Sequence, residues 1–320
     1  MKIIFLGTPE FALPSLQILV DAKYDIVGVF TQPDRPKGRG KMKSEPPVKI
    51  LAQSYNLPVF QYDRIRNYPG LQALYDLKPD VMITAAFGQI LSEEILKIPQ
   101  LCCINVHGSI LPQYRGPAPI QWAIINGEKT TGITTMYTNS GIDTGDIIMQ
   151  EAITILPEDT GGSLTEKMAI LGAEVLKVTM QLLSTGVLPR IPQDSGHASY
   201  FPMIKKSMGN IEWNHSAIDL CNLVRAIDPW PGAFTSWNQK TLKIWSMQIN
   251  KTEPILKAVP GQVLTANSKE GLIVAVGNGS IQIIEIQLPG KNRMLAKDFL
   301  VGHKIPIGTI FTRKEEFLIQ

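Results

Sequence analysis

The feature that most limits how this chain can fold is the alternation, through its first half, of short apolar runs with helix-patterned segments. Lys2–Leu6, Ile26–Thr31, Asp80–Phe87 and Leu101–Val106 are each too short for a core helix and apolar enough to be buried on both faces. Between them, the stretch from Pro9 to about Ala22, then Val48–Tyr55, Asn67–Leu77 and Ser92–Ile98 carry helical spacing, with Pro58–Gln61 as a further short strand. A strand that returns through a helix pairs parallel with its neighbour, so the expectation is an α/β, mostly parallel sheet covered by helices on both faces. Thr8 is placed to cap the first helix, with Pro9 at its first position. The turn Gly7-Thr-Pro-Glu10 is not Gly-x-Gly-x-x-Gly, which argues against a dinucleotide.

Farther along, Thr131–Thr138 and Ile147–Ile155 read as two more strands. Ser163–Thr185 reads as a helix opened by a Ser163/Glu166 capping box, faced with Leu164, Met168, Leu171, Val175, Val178 and Leu182, and closed by Gly186. From Val187 the composition turns to proline and polar residues, and a boundary is expected near Lys206. This gives a first domain over 1–188, a linker over 189–206 and a second domain over 207–320. In the second, a capped helix over Ser216–Ile227 precedes short runs at Leu242–Met247, Gly261–Ala266, Leu272–Val276 and Ile281–Gln287, the last two joined by a Gly-Asn-Gly turn. Short strands with such punctuation predict a small β-barrel.

Charge divides unevenly. Residues 205–320 hold 14 Lys+Arg against 9 Asp+Glu, or +5, leaving 17 against 19, or −2, for residues 1–204 of a chain with net charge +3. The exception in the acidic half runs from Arg35 to Lys49, in and just beyond the Gly/Pro-rich loop Gln32–Pro47, where Arg35, Lys37, Arg39, Lys41, Lys43 and Lys49 stand against the single Glu45. A loop that long inside a compact domain is a candidate binding element. The apolar start Met1–Leu6 is cut short by Gly7, Pro9 and Glu10, and no run approaches the ~20 residues of a membrane span, so a cytoplasmic protein without membrane association is expected. Three cysteines, two adjacent at Cys102-Cys103, make no disulfide framework, and four histidines show no ligand spacing, so no metal is expected.

The densest chemistry lies in Asn105-Val-His107-Gly-Ser-Ile-Leu-Pro112-Gln-Tyr-Arg-Gly116 and Gly141-Ile-Asp143-Thr-Gly-Asp146. Strand geometry puts Asn105 and His107 on one face, aimed at one point. Gly108, Pro112, Gly116 and Pro117 then break regular structure where an α/β sheet opens its crevice. An amide donor, an imidazole and a carboxylate, with no nucleophilic Ser or Cys beside them, suit acyl transfer to an amine through a stabilised oxyanion. Asn105 and His107 are the candidate oxyanion donors, and Asp143 the group that orients His107 or takes the proton. Ala85, Ala86 and Gly88, ending the neighbouring strand, leave room for a flat ring against the backbone.

These two motifs, in this order, resemble the signature of the 10-formyltetrahydrofolate formyltransferases. Gln32-Pro-Asp-Arg-Pro-Lys-Gly-Arg-Gly40 and Pro229-Trp-Pro-Gly-Ala233 extend the resemblance over nearly the whole chain. One departure is Ile110 where Leu is expected, a change that conserves volume. The resemblance implies a Rossmann-type catalytic domain, a C-terminal OB-like barrel that binds tRNA, 10-formyltetrahydrofolate as donor and the α-amine of initiator methionyl-tRNA as acceptor. A monomer is expected. It implies a folate site of Phe87, Gly88, Gln89, Ser109, Ile110, Leu111 and Pro112, and an acceptor-stem contact through Arg35, Lys37, Arg39, Lys41 and Lys43. Glycinamide ribonucleotide or an amino sugar as acceptor, a dehydrogenase on the same fold, and a non-catalytic RNA-binding protein are the competing readings.

Overall fold

The computed structural model describes residues 1–37, 42–251 and 258–314. The chain divides into two compact units: Met1–Pro119 with Thr130–Thr154 and Thr165–Phe201, and Ile120–Lys129 with Ile155–Leu164 and the chain from Pro202 onward. No helix among the described residues is long and apolar enough to cross a membrane.

The first unit is built on β1 (Lys2–Gly7), β2 (Asp25–Thr31), β5 (Val59–Gln61), β6 (Val81–Ala85), β7 (Cys102–His107), β8 (Thr130–Tyr137) and β9 (Ile147–Thr154). These form one seven-stranded sheet in the order β5-β2-β1-β6-β7-β8-β9. The first five pair in parallel, and β8 and β9 extend the sheet antiparallel. The strands are joined by α1 (Leu13–Asp21), α2 (Pro47–Ser54), α3 (Gly70–Leu77) and α4 (Glu93–Leu96), while α6 (Gly161–Ser184) follows β9.

The period of two along β7 sorts its neighbours. Cys103 packs with Leu74 of α3 and Ile95 of α4, beside Ile4, Leu6 and Met82. Val106, on the other face, lies under α6, where Gly172 has no side chain to collide with Val106 and Ile133. Helices therefore cover both faces, and Asn105 and His107 share the Cys103 face at the strand's carboxyl end.

Three local expectations are corrected. Thr8 does not cap a helix: its hydroxyl donates to the Phe87 carbonyl at 2.9 Å and accepts from Gln32 N at 3.2 Å, and the chain enters α1 through a 3-10 turn at Glu10–Ala12. The reciprocal cap of α6 lies three residues before the predicted one, with Thr160 Oγ1 accepting from Ser163 N at 3.1 Å and Ser163 Oγ from Thr160 N at 3.0 Å. Ser163 thus fills the far position of the box and its backbone is already helical. The basic segment is not wholly irregular: β3 (Arg35–Lys37) and β4 (Met42–Ser44) pair antiparallel, and Arg39 and Lys41 lie outside the described residues.

In the second unit, α5 (Pro119–Ile125) enters from Ile120 and α7 (Ala217–Ala226) is capped by Ser216 Oγ, which accepts from Asp219 N. β10 (Ala233–Trp237), β11 (Lys240–Ile249), β12 (Val263–Asn267), β13 (Gly271–Ala275), β14 (Ser280–Gln287) and β15 (Met294–Leu295) form an antiparallel sheet in the order β10-β11-β14-β13-β12, with β15 on β14; α8 (Ala296–Gly302) follows. The final described segment serves both free edges. Ser236 N donates to Thr312 O at 2.8 Å on the β10 side, and Val263 N donates to Thr309 O at 2.8 Å on the β12 side. Edge groups that would otherwise face solvent are paired, and the sheet closes into a small barrel.

Candidate active site at the carboxyl ends of the central strands

Asn105 and His107, two positions apart on β7, converge on one atom. Asp143 Oδ1 lies 3.5 Å from Asn105 Nδ2 and 3.6 Å from His107 Nδ1. The other carboxylate oxygen accepts from Gly116 N at 2.9 Å. His107 is 6% exposed, so its contacts decide its chemistry. Its Nε2 lies 3.0 Å from the Tyr114 carbonyl, an acceptor only, so Nε2 carries the proton and Nδ1 is the atom left to work toward Asp143. Donation from Nδ1 to a substrate therefore requires the doubly protonated ring. Asn105 is oriented from behind: Thr84 Oγ1 donates to its Oδ1 at 2.7 Å, which leaves the amide nitrogen as the end presented to the crevice.

The backbone around this cluster occupies unusual conformations. Ala86, Tyr114 and Asp143 all have left-handed φ, at 47°, 60° and 52°. Such residues cost of order 1–3 kcal/mol each and persist where the surroundings over-determine them. Gly116, at φ 112°, sits so close to the Phe201 carbonyl that a Cβ would collide with it, and only glycine satisfies both conditions.

The residues expected at the folate site divide into two groups. Ala86 and Gly88 are exposed at the end of β6 while Phe87 turns into the core, and the Phe87 carbonyl is taken by Thr8 and by Gln32 Nε2 at 3.2 Å. The backbone on either side of Phe87 is thus open to a flat ring. Gln89, in contrast, spends its side chain on its own neighbourhood, accepting from Ile65 N and donating to Tyr62 O, both at 2.8 Å. Ser109 is buried with Oγ donating to Gln113 O at 2.7 Å, and Leu111 packs on Met136 and Ile147. Ile110 lies over Gly132 of β8, and the Pro112 carbonyl accepts from Ser199 N at 3.3 Å.

Of the basic candidates, Arg35 and Lys43 are exposed, and Arg35 donates to Gln32 Oε1 at 3.3 Å. Lys49 is not a free charge of that run. Its ammonium bridges Asp34 at 2.7 Å and Glu45 at 2.8 Å, the residues flanking β3 and β4 at either foot, and this pairing holds the Asp34 carboxyl below its ordinary range.

The passage 189–206 reads in sequence as a linker, yet its residues up to Phe201 are bonded onto the first unit. Ile191 pairs with Ile147. Ser199 Oγ accepts from Tyr114 N at 2.9 Å, and Phe201 stacks on Tyr114 at 4.8 Å. Gln193 reaches both loops of the site. No periodicity or motif marks Gln193 or Ser199, because their partners lie far from them in sequence.

Among the described residues, no side chain near the cluster is placed to act as a covalent nucleophile. The Ser109 and Thr84 hydroxyls are engaged as described, and burial pushes the Cys103 thiol up to about 12 and that of Cys102 to about 11. Among the described residues no group of three His, Cys, Asp or Glu gathers in a way that could hold a metal ion.

A profile of the family described as formyl transferase matches residues 1–180, and one described as formyl transferase, C-terminal domain, matches residues 203–304. The chain belongs to the formyltransferase family. This formyltransferase is 46% identical over 310 residues to methionyl-tRNA formyltransferase of Acetivibrio thermocellus (strain ATCC 27405), covering 97% of this chain and 99% of that protein. It is equally similar, 46% over 310 residues at the same coverage, to methionyl-tRNA formyltransferase of Clostridioides difficile (strain 630). Among solved structures, a sugar 3N-formyl transferase shares the fold at TM-score 0.66 and 23% identity, covering 91% of this chain and 99% of that one. A methionyl-tRNA formyltransferase from Clostridium thermocellum does so at TM-score 0.55 and 17% identity, covering 79% and 95%.

Proposed function

We propose that this formyltransferase moves the formyl group of 10-formyltetrahydrofolate to the α-amine of initiator methionyl-tRNA, in the cytoplasm. The observation that carries the reading is the Asp143 carboxylate, held by Gly116 N and within 3.6 Å of both the Asn105 amide and His107 Nδ1. The donor supplies an activated formyl carbon on nitrogen, and everything else is the task of the chain. Asn105 Nδ2 and, in its protonated form, His107 Nδ1 stabilise the oxyanion that develops as the amine nitrogen bonds to that carbon. Asp143 accepts the proton that the attacking amine must lose, and the proton ends on the folate nitrogen as the old carbon–nitrogen bond breaks. The transfer is direct, since the neighbouring hydroxyls and thiols are engaged or protonated. Ala86 and Gly88 offer open backbone for the pterin. Arg35 and Lys43, with Lys37, Arg39 and Lys41, give a basic element for the acceptor stem, and the net positive barrel gives further grip on RNA.

The test offers methionyl-tRNA, glycinamide ribonucleotide and a UDP-amino sugar side by side with one folate donor. Formylation of methionyl-tRNA at a kcat/KM far above the other two is expected. Preference for either small amine overturns the assignment of the acceptor.

A further inference from the structure

We infer that Gln193 is a positioning residue for the reaction, the clasp that sets the distance between His107 and Asp143; the inference rests on the roles proposed above for those two side chains. Gln193 has both ends of its amide in use. Its Nε2 donates to the carbonyls of Asp143 at 2.9 Å and Gly145 at 2.7 Å, and its Oε1 accepts from Arg115 Nε at 3.1 Å and from a terminal nitrogen of the same guanidinium at 2.7 Å. Arg115 stands between the two residues that hold the site. Tyr114, before it, accepts the His107 proton through its carbonyl, and Gly116, after it, donates its N–H to the Asp143 carboxylate. One side chain therefore ties the Asp143 turn to the loop that fixes His107.

The connection is selective. A primary amide supplies two donors to two carbonyls and an acceptor to a guanidinium at once, which neither a carboxylate nor an alcohol can do. Gln193 is itself tied down, because Ile191 exchanges both backbone hydrogen bonds with Ile147, at 2.8 and 2.9 Å, and Arg115 N donates to Ser199 O at 2.8 Å. Asp143, with left-handed φ, has no regular structure to hold its carbonyl in place. Loss of the Gln193 amide frees the turn to relax, and a displacement of about 1 Å costs on the order of 10²-fold in rate when geometry carries the catalysis.

The experiment uses the full-length protein in five forms, wild type, Gln193→Met, Gln193→Glu, Asp143→Asn and the double Gln193→Met/Asp143→Asn variant, read by single-turnover formylation of methionyl-tRNA, equilibrium folate binding and thermal unfolding. Gln193→Met keeps the length of the side chain and removes its hydrogen bonds. The expected result is a 10- to 100-fold lower rate, with folate affinity unchanged and unfolding shifted by no more than a few degrees. In the Asp143→Asn background the same substitution should have little further effect, because the group it positions no longer takes the proton. Gln193→Glu retains the Arg115 contact but faces two carbonyls with a carboxylate, and should fail to rescue the rate. A wild-type rate for Gln193→Met, with Asp143→Asn strongly impaired, overturns the inference and leaves the proposed mechanism standing. A wild-type rate for Asp143→Asn overturns the mechanism itself. Fully multiplicative effects in the double variant show that Gln193 does not act through Asp143. If Gln193→Met unfolds, Arg115→Lys, which breaks the same clasp from the other side, should reproduce the rate loss and the non-additivity, and a wild-type rate there overturns the inference.

Discussion

The two units hold charge in opposite ways. In the first, Asp143 is fixed by the Gly116 N–H and faces a 6% exposed imidazole whose other nitrogen is committed to a carbonyl. In the second, the charge is displayed. Arg293 lies over the Trp245 ring at 3.5 Å and pairs through two nitrogens with Asp228, and Lys243 sits 4.7 Å from the same ring. Partial burial, then Arg293 and Lys206, hold the Lys243 ammonium below its ordinary pKa, and Trp230 stands 60% exposed. In the proposed function the first arrangement would depend on ångström-level geometry, whereas the second would act through field and stacking, which tolerate displacement and are screened by salt. Disturbance should therefore lower chemistry steeply in the first unit and RNA binding gradually in the second.

The steepest test of that contrast is Asn105→Ala, or His107→Ala, each expected to reduce kcat by on the order of 10²–10³, the usual loss for one oxyanion donor. Folate affinity measured in parallel should hardly move, and an equal fall in both would assign these side chains a structural role. Gly116→Ala comes next, since a methyl there meets the Phe201 carbonyl at a φ of 112°. Overpacking of this kind costs about 1–3 kcal/mol, read as a lower urea midpoint together with lower activity; an unchanged midpoint would mean that the 189–206 passage yields easily.

Lys49→Met should loosen the β3–β4 ladder only modestly, as expected for solvent-screened ion pairs, raising the apparent KM for methionyl-tRNA by at most roughly fivefold with kcat retained. A fall in kcat alone would disconnect the ladder from RNA binding. Lys243→Ala should weaken tRNA binding modestly and reduce the slope of log affinity against log salt by about one. An unchanged slope would leave the charge of the second unit as a solvated face. Smallest of all, iodoacetamide at neutral pH should leave Cys102 and Cys103 unlabelled in the native protein, since burial holds both thiols protonated; rapid labelling would show that β7 opens.

Much of this was legible in the sequence. Strands β1, β2, β6 and β7 appear as apolar runs because a strand covered on both faces leaves no polar alternation. The period of two was enough to put Asn105 and His107 on one face, and the Gly-Asn-Gly turn between β13 and β14 stands where the sequence puts it. Other features depart from what local sequence implies. Thr8 has the composition of a cap but bonds across the sheet to Phe87, the capping box slid from Ser163/Glu166 to Thr160/Ser163, and Lys49 joined the basic run in sequence while pairing inward in space. In each case a polar side chain had more than one partner available, and only packing selects between them.

The sequence by itself therefore determined the parallel-sheet half, the Asn105/His107 pairing and the motifs that mark a formyltransferase, because those rest on periodicity and on residue types with few alternative uses. Tertiary structure alone decided which nitrogen of His107 faces Asp143, and it closed the barrel through Thr309–Thr312 and turned a proline-rich passage into the strap that carries Gln193. Those outcomes depend on backbone carbonyls and N–H groups brought together from distant positions. Every residue but proline carries the same backbone pair, so the order of side chains holds no record of which pairs will meet.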